Sequence, residues 1–197
     1  MKPLPDALVS CVGALLEERR RPDFREVFGA LARQSDAVAT AVTRVRLSTV
    51  DLTPEELASL DSFRVLVAEL SALRLDAEAR AMRSEPRRVA NVNLLLDMME
   101  AGRLEVRSAP LGGWSPDYTV FSREDRARTV LTGFHWFERP YPHRGPALAS
   151  LHTEEGASLA LRRFDEVWAD AHDVGPAVWS ILARAVDRAS AGREGAA

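Results

Sequence analysis

The stretch Tyr118-Thr119-Val120-Phe121-Ser122-Arg123-Glu124-Asp125-Arg126-Ala127-Arg128-Thr129-Val130-Leu131-Thr132 decides the fold class. Tyr118 to Phe121 is aromatic and β-branched, a composition that fits a pleated, half-buried strand. Ser122 to Asp125 is a polar turn, and Arg128 to Thr132 is the partner strand of a hairpin. Upstream, Leu104-Glu105-Val106-Arg107 alternates cleanly and predicts another strand. Pro110-Leu111-Gly112-Gly113-Trp114-Ser115-Pro116 is punctuated as a loop. Downstream, Pro140, Tyr141, Pro142, His143 and Pro146 mark a second loop, followed by a short strand over Ala147 to Leu151. The second half of the chain therefore carries a sheet.

Helical patterns flank it. Leu8, Val12, Leu15 and Leu16 recur at helical spacing, and Phe24, Val27, Phe28 and Leu31 repeat the pattern after Pro22. Val38, Ala41, Val42 and Val45 predict a third helix, and Arg46 to Leu52 a strand. Thr53-Pro54-Glu55-Glu56 is a helix start in which Thr53 caps, Pro54 takes the first helical position and Glu56 completes a capping box. The spacing of Leu57, Leu60, Phe63, Val67 and Leu70 extends that helix toward Met82. Pro86 opens another helix through Val89, Val92, Leu95, Leu96 and Met99, with Gly102 at its expected C-terminal cap. Thr153-Glu154-Glu155 starts a helix with Leu161, Phe164, Val167 and Trp168 inward, and Pro176 starts a last one through Val178, Ile181, Leu182 and Val186. The expected assembly is α/β: a helical N-terminal segment packed on a mixed β-sheet flanked by helices. A single domain is expected over residues 1–189, helical over 1–44 and sheet-containing over 45–189, with a frayed tail at 190–197.

Composition narrows the class without naming an activity. At 197 residues, 46% hydrophobic and 28% charged, the chain suits a folded globular protein. One cysteine, Cys11, excludes an internal disulfide framework and a cysteine-based zinc cluster, and suits a reducing compartment. The net charge of −3 gives no global nucleic-acid footprint. No run approaches the roughly 20 apolar residues of a membrane span, and Pro3, Pro5 and Asp6 break any signal-peptide core. A cytoplasmic protein with no membrane association is expected. Lys2 is the only lysine among 26 basic residues, a skew that fits codon bias in a GC-rich bacterium.

The order of pieces from about Leu94 to Ala171 resembles the second half of a phospholipase D-like domain. That order is a helix, Gly102, a strand ending in Arg107, a loop, a hairpin, the segment Thr132-Gly133-Phe134-His135-Trp136, and a strand feeding a helix with Phe164 and Trp168 near its end. Active members of that superfamily carry a His-x-Lys pair on the first hairpin strand, an acid at the turn and Gly-Ser-x-Asn after the second strand. Here the histidine position falls on Ser115, the lysine on Asp117 and the acid on Ser122, while Gly133 matches and Phe134 and Trp136 replace the serine and asparagine. The superfamily's chemistry needs a histidine nucleophile and cations that stabilise the transferring phosphate. The resemblance therefore implies a degenerate, non-catalytic half-domain with no cofactor. It also implies a homodimer, because two half-sites pack about a two-fold axis in that superfamily. Degenerate members serve as sensors or scaffolds in bacterial regulation and defence, so a protein or nucleic-acid partner is expected.

The residues themselves leave one candidate pocket. Trp114, Trp136, Tyr141 and Phe137 gather near one loop-rich end, with Arg107, Arg139 and Arg144 as a rim, which suits a planar or anionic molecule. Asp117, His135 and His143 belong to the same candidate ligand-binding set. His135, His143 and His152 lie eight and nine residues apart, unlike the tight pairs of metal sites, so no metal is expected. No Gly-rich phosphate loop or dinucleotide fingerprint is present. Two other functions remain open at this level: a hydrolase or transferase using His135 with Asp117 or Glu138, and a structural subunit of a larger assembly.

Overall fold

The computed structural model describes residues 24–44, 53–81, 86–110, 118–132 and 150–187. The expected hairpin is present: β4 (Tyr118–Arg123) pairs antiparallel with β5 (Arg126–Thr132). Its two turn residues, Glu124 and Asp125, sit in the left-handed region at φ 53° and 57°, the geometry a tight hairpin turn requires. Asp36 braces this turn. Its carboxylate accepts from the Glu124 amide at 2.7 Å, and its carbonyl accepts from Asp61 and Ser62.

The elements before the hairpin are α1 (Phe24–Ala32), β1 (Ala37–Arg44), α2 (Pro54–Ala58), β2 (Ser62–Glu69), α3 (Ala72–Ala81), α4 (Pro86–Glu100) and β3 (Leu104–Ser108). After it come β6 (Ser150–Thr153), α5 (Glu155–Ala169), β7 (His172–Asp173) and α6 (Gly175–Ala185). The seven strands form one mixed sheet in the order β6-β5-β4-β1-β2-β3-β7. β1, β2 and β3 are parallel, and the hairpin joins them through the antiparallel pairing of β4 with β1.

Helices cover both faces, as in α/β layer architectures. On one face Val38, Val42, Phe63, Val65, Val67, Val106 and Phe121 meet apolar side chains from α1, α2, α3, α4 and α6. Phe28 packs edge-on against Phe121, with centroids 5.1 Å apart. On the other face Ala39, Ala41, Leu66, Val120 and Val130 meet Ala157, Phe164 and Trp168 of α5. Small residues on β1 leave room for the two large rings of that helix.

Two expected helices are strands. Val38 to Val42 belongs to β1, so the segment 1–44 expected to be helical contains the central strand of the sheet. Phe63 to Glu69 is β2, and the helix begun at Thr53 ends at Ala58. The reason is common to both. A strand buried on both faces loses its alternation and reads as a continuous apolar run, which mimics helical spacing. In β1, Val38 and Val42 face one layer while Ala39 and Ala41 face the other.

The end signals hold. Thr53 and Glu56 form the reciprocal capping box, with the Thr53 amide donating to Glu56 Oε2 at 2.8 Å. At the end of α4, Gly102 has φ 69°, its amide donates to Met99 O and the Arg103 amide to Met98 O. That is the paired-bond glycine cap expected from the sequence. The strand expected at Ala147–Leu151 is described over Ser150–Thr153. The two-residue β7 had no sequence signal. The first expected helix, the strand at Arg46–Leu52 and the tail at 190–197 lie outside the described residues. Among the described residues no helix is long and apolar enough to cross a membrane.

Candidate functional site

The strand directions place many chain ends together. β1, β2 and β3 end at Arg44, Glu69 and Ser108, while β4 starts at Tyr118, opposite Ala41 of β1. Tyr118 faces Thr132 at the end of β5, Thr132 faces Ser150 at the start of β6, and Ser108 faces His172 at the start of β7. All seven strands thus have one terminus at this end of the sheet. In open α/β sheets, ligands bind outside the carboxyl ends of the parallel strands.

Arg107 is the one candidate binding residue within the described part of the chain. It lies on β3 beside this end, and its guanidinium carbon sits 4.7 Å from the Trp168 ring centroid. The group also donates to the Trp168 carbonyl at 3.2 Å and pairs with Glu105 at 3.5 Å. Arg64, on neighbouring β2, lies 5.0 Å from the Phe164 centroid and 5.6 Å from that of Trp168, and pairs with Asp165 at 2.8 Å. Phe164 and Trp168 stack at 5.3 Å with planes 21° apart. Two arginines from adjacent strands therefore clasp the ring pair that anchors α5. Each such contact contributes about 0.5–1 kcal/mol at a partly exposed site, and the exposed ion pairs about 0–1 kcal/mol. Arg107 thus acts as a strut between β3 and α5.

Trp114 and Asp117 fall in 111–117, and His135, Trp136, Arg139, Tyr141, His143 and Arg144 in 133–149, both outside the described residues. The described strand ends on either side of these segments, Ser108 with Tyr118 and Thr132 with Ser150, are at the same end of the sheet. His152 lies on β6, its backbone paired with Val130. Among the described residues no group of three or more His, Cys, Asp or Glu is placed to hold a metal ion.

Two residues at this end escaped the sequence reading. His172 is exposed on β7, and a two-residue strand has no periodicity to reveal it. Tyr118 reads as an ordinary strand aromatic, yet it is the first residue of β4 and half-buried against the α5 layer. Burial pushes its phenol up to about 12; the Arg163 cation opposes this and the Asp165 carboxylate reinforces it. The fold thus favours the neutral phenol. Its contribution to stability is complete below the unfolded value near 10 and is lost as pH rises from about 10 toward 12. Tyr118→Phe should therefore flatten the alkaline limb of the stability curve in that window. Urea melts of both proteins between pH 9 and 12 check this, and identical pH dependence would refute it.

Nuc from Salmonella typhimurium, a phospholipase D family member, superposes with a TM-score of 0.42 at 12% sequence identity. The match covers 76% of this chain and 89% of that one. No family model matches the sequence, and no curated protein does.

Proposed function

We propose that this chain is a non-catalytic, phospholipase D-like binding module that acts in bacterial regulation or defence. Its ligand or partner would be bound at the carboxyl end of β1–β3. The observation that carries this reading is the hairpin register, in which Tyr118 stands opposite Thr132. The superfamily's His-x-Lys pair would lead directly into Tyr118, and its Gly-Ser-x-Asn segment would directly follow Thr132. On that placement the two motif segments join the sheet at neighbouring strand ends, as a shared half-site requires. The residues in those positions are Ser115 and Asp117 on one side and Gly133, Phe134 and Trp136 on the other. They supply neither the imidazole nucleophile nor the ammonium that phosphoryl transfer would need. An aspartate in the lysine position repels a phosphate rather than stabilising it. The sequence of segment 133–149 is rich in aromatic residues and carries Arg139 and Arg144, a composition suited to binding.

Purified protein should leave bis(4-nitrophenyl) phosphate and single-stranded DNA intact, with or without divalent metal, and should elute as a homodimer by light scattering. Metal-independent cleavage that disappears in His135→Ala would establish a hydrolase instead. A monomer would remove the two-fold half-site arrangement from the proposal.

A further inference from the structure

We draw no further inference here: the strongest candidate, the exposed cross-strand pair Arg123 and Arg126 at the tip of the β4–β5 hairpin, is interleaved with Glu124 and Asp125 and flanked by Arg128, itself paired with Glu124 and Glu154, so the cluster carries no net charge and nothing among the described residues shows what would cover it.

Discussion

Phe164→Ala is expected to cost about 3–5 kcal/mol, the range for deleting a fully buried ring. Phe164 is 0% exposed and is the largest fully buried side chain that α5 places against the sheet. Three contacts end together when it is removed. The stack on Trp168 at 5.3 Å disappears, the Arg64 guanidinium loses the ring 5.0 Å away, and Ala39 and Ala41 on β1 are too small to fill the space. The site collapses poorly because both neighbouring strands are central and held on each side. Since α5 is the one described helix on this face, its docking should weaken as a unit. Chemical denaturation should show the loss, and amide exchange in α5 should accelerate more than in α4 or α6. A loss below about 1 kcal/mol would mean that α5 is held chiefly by its edge contacts.

Gly29→Ala should be the second large effect, and its sign opposes helix propensity. Alanine in a helix interior is normally favoured over glycine by about 1 kcal/mol. At position 29 a Cβ would lie 2.7 Å from Glu56 Cδ and closer still to Oε1. That carboxylate is at the tip of a side chain, yet it has little freedom. It accepts from the Thr53 amide at 2.8 Å, pairs with Arg33 at 2.7 Å, and its side chain is only 4% exposed. Moving it aside undoes the capping box and leaves a desolvated carboxylate with fewer partners, at a cost of about 1–3 kcal/mol plus about 1 kcal/mol for the cap. A net destabilisation of about 1–3 kcal/mol is expected. The double variant Gly29→Ala, Glu56→Ala tests the cause. If the clash is responsible, removing the carboxylate should recover part of the loss, and strictly additive effects would locate the problem elsewhere.

The contrast between Glu56 and Val38 shows what the sequence made legible. Thr53, Pro54 and Glu56 announce a helix start because end effects are local: the partners lie within three residues and need no tertiary context. Gly102 and the Glu124-Asp125 turn are readable for the same reason. β1 and β2 carry helical spacing in sequence because their identity depends on what covers them. Val38 and Val42 are separated by a helical interval, and only the presence of layers on both sides explains why Ala39 and Ala41 between them are also buried. The candidate site follows the same logic. Arg107 lies on an alternating strand, so its position near a strand end is legible, whereas Trp114, His135, Tyr141 and Arg144 are candidates on chemistry alone, in stretches without periodicity. Such stretches carry no rule for converting residue number into position.

The place of β1 has a consequence for how the chain is made. Thr40 and Thr119 share a buried hydroxyl contact of 3.1 Å across 79 residues, at the junction between the parallel strands and the hairpin. Synthesis from the N-terminus produces β1, β2 and β3 with the helices between them before β4 appears. Until then the middle strand of the future sheet has one open flank, apolar on both faces, that can pair with another copy of itself. The growing chain therefore has a window between about residue 110 and residue 123 in which its most buried strand is its most exposed edge. Release of the hairpin from the ribosome closes that window, so the last strand to reach the centre also protects the nascent protein from aggregation.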